Sequence, residues 1–217
     1  MLRLMDIDPD SSATRTRLLL AAFREIYRCG FQAAAVAEIL SDTGLTKGAL
    51  YHHFPSKHAL GLAVIDEVIQ GYLAKNIFEP LEEAPHPAHA LLAILEQRKY
   101  AKDDESTARG CPLNNLVQEM SPIDADFREH LSRVLGRWES ALRVALMKAK
   151  EAGEVRADVD CEAAALFILA AWEGCFSVAK SRQSASLFRE CLTQLQGYVR
   201  LLLTDATPKT DHAFLSS

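Results

Sequence analysis

The chain has 217 residues, of which 49% are hydrophobic, and its formal net charge is −5. This length is enough for a sizeable core in one large or two small domains, and the negative total argues against a general nucleic-acid binder. Five cysteines without a CxxC pair do not form the pattern of a disulfide framework. The start lacks the regions of a signal peptide, and the longest apolar run ends at Glu173. We therefore expect a soluble, cytoplasmic protein with no membrane partner.

Residues 1–11 predict a disordered tail, and a first helix is expected from Ser12 or Thr14 to about Arg28. This helix has an apolar stripe at helical spacing, with its arginines on the solvated side. Residues 11–60 include six basic and three acidic side chains, although the whole chain is acidic. A locally basic N-terminal part on an acidic body suits docking to DNA at one end of the molecule.

The segment 36–60, VAEILSDTGLTKGALYHHFPSKHAL, predicts two short helices joined by a tight turn. Val36, Ile39 and Leu40 recur at helical spacing and give the first helix one apolar face. Gly44 is expected to end that helix, because glycine adopts positive φ without strain. Thr46 is expected to cap the second helix by accepting a hydrogen bond from a backbone N–H.

The second short helix is expected to turn Leu50 and Phe54 inward. Its opposite, outward face is formed by Lys47, Gly48, Tyr51 and His52. This is the plan of a helix-turn-helix, whose second helix enters the major groove of DNA. Lys57 stands in the first turn of the next helix, where a cation opposes the helix dipole. A DNA phosphate bound at that helix N-terminus would remove the conflict.

The run TGLTKGALYHHFPSKHAL resembles the DNA-binding signature of TetR-family transcriptional regulators of the TetR/AcrR type, and the likeness extends over residues 14–60. The resemblance implies an all-α fold with a three-helix helix-turn-helix DNA-binding domain, placed at residues 12–60, and a helical ligand-binding and dimerisation domain, placed at residues 61–203. It implies DNA contacts from Arg15, Thr46, Lys47, Gly48, Tyr51, His52, His53 and Lys57. Where the family usually has Thr or Ser opening the helix before the turn, this chain has alanines at 33–35.

The remaining patterns predict helices and no strand, with about nine helices in the whole chain. The expected helices beyond the helix-turn-helix lie near residues 56–77, 88–102, 112–120, 124–152, 161–179 and 186–203. Pro80, Pro85 and Pro87 predict a loop after the first of these. Residues 103–110 predict a mobile loop, and residues 204–217 a disordered tail.

No enzyme, cofactor or metal site is predicted. His86 and His89 lie in a proline-containing loop without the further ligands that a metal site needs. The chain has no Ser–His–acid order with supporting motifs, no glycine-rich phosphate loop and no metal-ligand cluster. A helical enzyme remains the alternative from a different class, and a measurement of specific duplex binding separates the two.

Four large aromatic residues have two interpretations, as packed core or as the walls of an effector pocket between the helices at 124–152 and 161–179. They are Trp138, Phe167, Trp172 and Phe176. Cys111 follows a loop and begins a helix near the expected pocket mouth. It is either a quiet buried thiol or a sensor thiol of lowered pKa. The family resemblance adds that some TetR-like repressors responding to electrophiles have a Gly-Cys pair at this place.

The sequence thus predicts a repressor that is released from a double-stranded DNA operator by a small molecule, either apolar or electrophilic. A transcriptional activator of the same fold is the alternative. The helices at 161–179 and 186–203 have more apolar surface than one chain can cover, which predicts a homodimer with a four-helix interface. A two-fold dimer presents two recognition helices to successive major grooves.

Overall fold

A computed structural model describes residues 13–100 and 104–204 of the chain. These residues form ten helices, counting the unbroken run 57–83 as one. The helices are α1 (Ala13–Cys29), α2 (Val36–Ser41), α3 (Lys47–His53), α4 (residues 57–83), α5 (Pro87–Tyr100), α6 (Asp104–Arg109), α7 (Pro112–Met120), α8 (Ala125–Glu151), α9 (Cys161–Arg182) and α10 (Ala185–Leu201). No strand occurs in the described ranges, where Val155 and Leu203 form an isolated bridge. The predicted all-α fold is confirmed.

The helix-turn-helix forms as its local signals predict. Gly44 adopts a φ of 65° at the turn, and the Thr46 hydroxyl accepts a hydrogen bond from the N–H of Ala49 at 3.1 Å. Leu50 and Phe54 are buried against α1. Ala35 occupies the N-cap of α2 without a side-chain hydrogen bond. The turn is also held by Thr43, whose hydroxyl donates to the Leu40 carbonyl at 2.9 Å and accepts from the Leu45 N–H at 3.1 Å.

Helix α4 is longer than the sequence predicts, because Pro80 lies inside it and not in a loop. The helix widens into π turns at Val64–Ile69 and Ala74–Phe78 before its last segment. Proline has no N–H to donate to the carbonyl four residues earlier, which belongs to Asn76. That carbonyl instead accepts a hydrogen bond from Arg98 Nη2 at 3.4 Å. A partner from α5 thus offsets the bond that Pro80 removes.

Helices α4 to α10 form the body of the molecule. Its central helix is α8, which packs against α4, α5, α7 and α9, while α10 packs against α9 and α5. By length and composition α9 could cross a membrane, and half of its most apolar window is buried inside the fold. The outer side of α9 exposes the apolar residues Leu166, Phe167 and Val178. Helix α9 is thus a core helix on one side and an uncovered apolar surface on the other.

Two segments that were expected to be irregular differ from the prediction. Helix α6 occupies residues 104–109, where the sequence predicts a loop. Of the tail predicted from residue 204, only Thr204 is described, and its N–H donates to the Glu154 carbonyl at 2.9 Å. The tail predicted for residues 1–11 and the rest of the C-terminal tail lie outside the described residues.

Candidate DNA-binding surface and ligand cavity

The outward face of α3 is exposed as a group. Lys47, Gly48 and His52 are exposed, and 48% of Tyr51 is open to solvent. His53 is half-buried on the side of Phe54, with the ring centroids 6.5 Å apart. A short helix with its apolar side fixed in the core therefore presents a cation, a bare backbone position and two flat hydrogen-bonding side chains to solvent.

Two of the predicted DNA-binding cations are engaged inside the chain. The two terminal guanidinium nitrogens of Arg15 donate to the Glu67 carboxylate, with Nη2 2.6 Å from Oε1, and this contact raises the pKa of Arg15. Lys57 Nζ donates to the Gln32 carbonyl at 3.1 Å and lies 4.8 Å from the Phe31 ring centroid. An internal carbonyl and an aromatic face thus already offset the unfavourable position of Lys57 at a helix N-terminus, without a DNA phosphate.

Helix α7 is attached directly to the end of α1 and the loop that follows it. The Tyr27 hydroxyl donates to the Gly110 carbonyl at 2.8 Å, just before α7 begins. At the other end of α7 the Glu119 carboxylate accepts the N–H groups of Phe31 and Gln32, at 2.9 and 2.8 Å. These contacts connect the body to the DNA-binding part at two points on one short helix.

A second connection joins α4 to the start of α8. His58 Nε2 lies 3.1 Å from Asp124 Oδ2 and 3.7 Å from an Asp126 oxygen. The Phe127 N–H donates to the other Asp124 oxygen at 2.9 Å, and this bond, followed by the His58 contact, lowers the pKa of Asp124. The three side chains are close enough to share a cation. However, the Asp124 carboxylate already caps a helix N-terminus, so we interpret the group as a helix cap that is hydrogen-bonded to His58.

A narrow cavity of about 50 Å³ lies inside the body, between α1, α4, α5, α7, α8 and α9. Three of the four predicted pocket aromatics line it together with the predicted cysteine: Trp138, Trp172, Phe176 and Cys111. The two indoles meet edge to face, with their centroids 5.2 Å apart. More elements enclose the cavity than the α8–α9 pair that the sequence suggests.

Phe167 is not part of this cavity, so its predicted place in the pocket is wrong. Its side chain is 51% exposed on the outer side of α9 and packs on Tyr198, with the ring centroids 4.6 Å apart. A helix advances by about 100° per residue. Phe167 therefore lies on the opposite side of α9 from Phe176, nine positions later.

A wider cleft of about 890 Å³ adjoins the cavity and extends along the end of α1. The two spaces share the walls formed by Phe23, Ile69, Cys111, Pro112 and Phe176. Cys111 is 7% exposed and precedes α7 without capping it through its side chain. The predicted position of this cysteine at a mouth corresponds to the junction between cleft and cavity.

Two family models match the chain. The N-terminal model of bacterial regulatory proteins of the tetR family matches residues 18–64, and the tetracyclin repressor-like C-terminal domain model matches residues 87–195. The chain belongs to the TetR family of transcriptional regulators. This assignment agrees with the helix-turn-helix at one end of the molecule and the cavity in the other.

Individual TetR-family relatives resemble the chain over most of its length. The transcriptional regulator AcuR of Cereibacter sphaeroides is 31% identical, and the match covers 79% of this chain and 78% of that protein. The HTH-type transcriptional repressor DhaR of a Mycobacterium species is 30% identical over 67% of this chain and 71% of its own. The crystal structure of a TetR regulatory protein from Rhodobacter sphaeroides superimposes with a TM-score of 0.76 at 26% identity, covering 89% of this chain and all of that one.

Sequence reasoning missed Arg98, the charged residue of the cavity wall in this TetR-family chain. Arg98 is only 7% exposed, and its guanidinium donates to the Tyr72 hydroxyl and to the Asn76 carbonyl. A signal was present, because Arg98 continues the apolar series of Leu91 and Leu95 along one side of α5. A cation on a buried stripe is unusual enough to mark a site.

Proposed function

We propose that this TetR-family chain is a cytoplasmic, non-enzymatic repressor that binds a DNA operator as a homodimer and releases it when a small molecule enters the body. The observation that carries the proposal is the outward face of α3, with Lys47, Gly48, Tyr51 and His52 exposed over a buried apolar side. A face of this kind suits base-edge and phosphate contacts in a major groove. The relative DhaR is itself described as a repressor.

The proposed DNA contacts divide by chemistry. Lys47, Tyr51 and His52 are placed to reach base edges, while Gly48 allows the backbone to approach. Thr46, at the start of α3, and His53, at its end, would approach the phosphate backbone. Arg15 and Lys57 would contribute phosphate contacts, after exchanging Glu67 and the Gln32 carbonyl for DNA. Phosphate contacts set affinity and its salt dependence, whereas base contacts set sequence preference.

The proposed homodimer uses the outer surface of α9 with its neighbour α10. Leu166, Phe167 and Val178 leave about half of their side-chain surface uncovered, and Leu201 of α10 is 69% exposed. Exposed apolar groups of this size in one region are typical of an interface. Pairing α9 and α10 with their copies would cover the uncovered half of the apolar helix and place two copies of α3 on one side of the dimer.

The proposed signal passes through α7. This helix follows Cys111 beside the cavity. Near its other end, the Glu119 carboxylate accepts the backbone N–H groups of Phe31 and Gln32. A molecule that displaces α7 would therefore move the end of α1 and change the separation of the two recognition helices. The effector must bind the DNA-released state more tightly, and DNA must oppose the effector by the same factor.

An electrophilic effector is the second version of this proposal, and Cys111 would be its target. The thiol lies where the cleft meets the cavity, so a compound entering from the cleft meets it before the tryptophans. Burial raises the pKa of Cys175 to about 12, and burial with the Glu25 contact raises the pKa of Cys29. Both have little of the reactive thiolate near neutral pH. N-ethylmaleimide should release DNA from the wild type and from Cys29→Ser, but not from Cys111→Ser.

The proposal is tested by selecting duplexes from a random pool with the full-length protein and measuring their affinity. We expect a two-fold symmetric site, bound by a dimer, with half-sites about one helical turn apart. A pool that converges on no sequence, or a monomer by sedimentation at micromolar concentration, overturns the proposal. A promoter reporter carrying the selected site then separates repression, which the effector relieves, from activation, which the protein itself produces.

A further inference from the structure

The body cavity has an apolar wall with an unneutralised cation in it. Arg98 is 7% exposed, yet no carboxylate of the described residues pairs with it. Its neighbour Lys99 is buried to a similar degree and has Glu96 at 2.8 Å. A charge taken out of water without an opposite charge is unfavourable. These two adjacent cations therefore differ: within the described residues, Lys99 has a counter-charge and Arg98 has none.

The hydrogen-bonding capacity of this wall is all of one kind. Arg98 Nε and Trp138 Nε1 are buried and have no acceptor within the described part of the chain. Tyr72 also lines the cavity, and its hydroxyl accepts from Arg98 Nη1, which leaves its own proton available to donate. Three donors and a full positive charge therefore belong to residues that line one apolar cavity. The complementary group is an anion that only accepts hydrogen bonds.

The size and the charge of the cavity narrow the choice of anion. A single guanidinium matches a singly charged, planar carboxylate, whose two oxygens suit its donor edge. The cavity volume is about 50 Å³, and one water needs roughly 10–15 Å³ on this measure. Several waters, or a molecule of a few non-hydrogen atoms, fit this space. The remaining walls are apolar, with Leu73, Ile77 and Leu113 among them, and suit a short hydrocarbon body.

We propose that the effector is a short-chain monocarboxylate whose carboxylate binds Arg98, Trp138 Nε1 and the Tyr72 hydroxyl. This inference rests on the proposed function, because it names the ligand class of the same cavity. The cation also makes the wall sensitive to occupancy. Arg98 Nη2 holds the Asn76 carbonyl at the π turn of α4, so a carboxylate that draws the guanidinium toward itself acts on the helix that leads to the DNA-binding part.

The test uses the full-length protein and the sodium salts of the straight-chain monocarboxylates from acetate to valerate, each beside its primary amide at the same ionic strength. At least one carboxylate should raise the Tm of the wild type and bind in calorimetry, while its neutral amide does neither. Arg98→Met should lower the affinity for that carboxylate by about tenfold or more, and Trp138→Phe should lower it by a smaller factor. Lys99→Met, which removes the neutralised neighbour, should leave the affinity within about twofold of wild type.

The stability of the ligand-free variant separates a binding role of Arg98 from a structural role, in which the variant would be clearly less stable than wild type. The ligand-free Arg98→Met protein should lose little stability, because removal of an unneutralised buried charge offsets the loss of the hydrogen bonds to Tyr72 and Asn76. If this variant fails to fold, Tyr72→Phe decides, since it keeps the ring, removes only the hydroxyl and should also weaken carboxylate binding. The inference is overturned if no carboxylate of the series binds, if the amides bind equally, or if Tyr72→Phe binds as wild type does.

Measurements of DNA binding distinguish failure of the effector proposal from failure of the repressor proposal. A wild type that binds a selected duplex but no carboxylate refutes the effector class and leaves the repressor proposal standing. Carboxylate binding that depends on Trp138 and Arg98, in a protein that selects no duplex, refutes the repressor proposal and retains the cavity. Where both hold, the carboxylate should release the duplex with the same concentration dependence as it raises the Tm.

Discussion

The cations of the DNA-binding part and the buried arginine of the body lie in opposite environments. Lys47 is exposed on the outward face of α3, and Arg15 and Lys57 have partners at the surface that DNA can replace. Arg98 in the body is buried, with two neutral acceptors and no carboxylate in the described structure. An exposed cation is accessible to a large polyanion from solvent. A buried one selects a small anion that fits beside it.

The largest expected effect is on DNA affinity, and it tests the exposed half of this comparison. Lys47→Ala should remove a base or phosphate contact at each half-site, at about 1–3 kcal/mol per site, and alter sequence preference. Lys57→Ala should weaken all sequences alike and reduce the salt slope by about one for each phosphate that is no longer neutralised. Competition binding to the selected duplex and to single-base variants, at several salt concentrations, measures both effects. An unchanged affinity and salt slope for Lys57→Ala would exclude this lysine from the DNA interface.

The next effect is on the free energy of unfolding, through the packing of α4 between Phe31 of the DNA-binding part and Phe127 of the body, which we call the joint. A Cβ on Gly61 would lie 2.5 Å from the Phe31 ring and 2.7 Å from the Phe127 ring. Gly61→Ala should therefore force these packed rings apart and destabilise the protein by about 1–3 kcal/mol. Gly71→Ala in the same helix is the matched control, because nothing lies within 4 Å of the new methyl group. It should stabilise by up to about 1 kcal/mol in denaturant unfolding. Equal effects at the two glycines would contradict the close packing at the joint.

A smaller change in stability is expected from the N-caps of the two short helices, α2 and α3, which differ. Thr46→Ala removes the hydroxyl that caps α3 and should cost about 1 kcal/mol of unfolding free energy. Ala35→Ser supplies the missing side-chain cap of α2, whose N-cap backbone is already extended, and should add a few tenths of a kcal/mol. Thermal unfolding of the two single variants and the double variant compares them. If Ala35→Ser destabilises, the backbone there does not suit a cap.

The smallest effect depends on pH and concerns the cap of α8. The Phe127 N–H and His58 hold the pKa of Asp124 below its usual range. A carboxyl whose folded pKa is depressed contributes stability that is complete above its unfolded pKa, and this stability is lost as the pH falls through the folded pKa. Asp124→Asn keeps a capping oxygen without the charge. Its deficit relative to wild type should be present at pH 6 and shrink at pH 3 in urea unfolding. A deficit that is constant with pH would assign it to packing alone.

The DNA-binding part was predictable because its signals are local. Gly44, Thr46, Leu50 and Phe54 act within one turn of helix of their neighbours, so their spacing alone indicates which side each occupies. The body depends on contacts between distant segments. Trp138, Trp172, Phe176 and Cys111 were grouped at a pocket in one of two interpretations, but their spacing did not show that α1, α4 and α5 complete its walls. Phe167 was misplaced although its angular distance from Phe176 on a single helix gave the answer.

The charged wall of the cavity was the feature that could least be predicted from the sequence. The position of Arg98 in an apolar series is a local signal, but its meaning depends on what the rest of the fold supplies. Glu96 neutralises Lys99 and also accepts from Gln196 of α10. Arg98 instead faces α4, where the described partners are the Tyr72 hydroxyl and ring and the Asn76 carbonyl, all neutral. Which of two adjacent cations receives a counter-charge is decided by tertiary packing, and no spacing rule contains that information.

Phe23 belongs to α1, the first helix of the DNA-binding part, and yet it is a wall of both the cavity and the adjoining cleft. The two functional parts are therefore not interchangeable modules. A chimera that joins this body to the first sixty residues of another family member replaces a piece of its own binding site, together with Tyr27 and the loop that Glu119 holds. Transplanting the sensing property to a new operator requires that the foreign α1 keep these inward-facing side chains, while only its solvent side and α3 are exchanged.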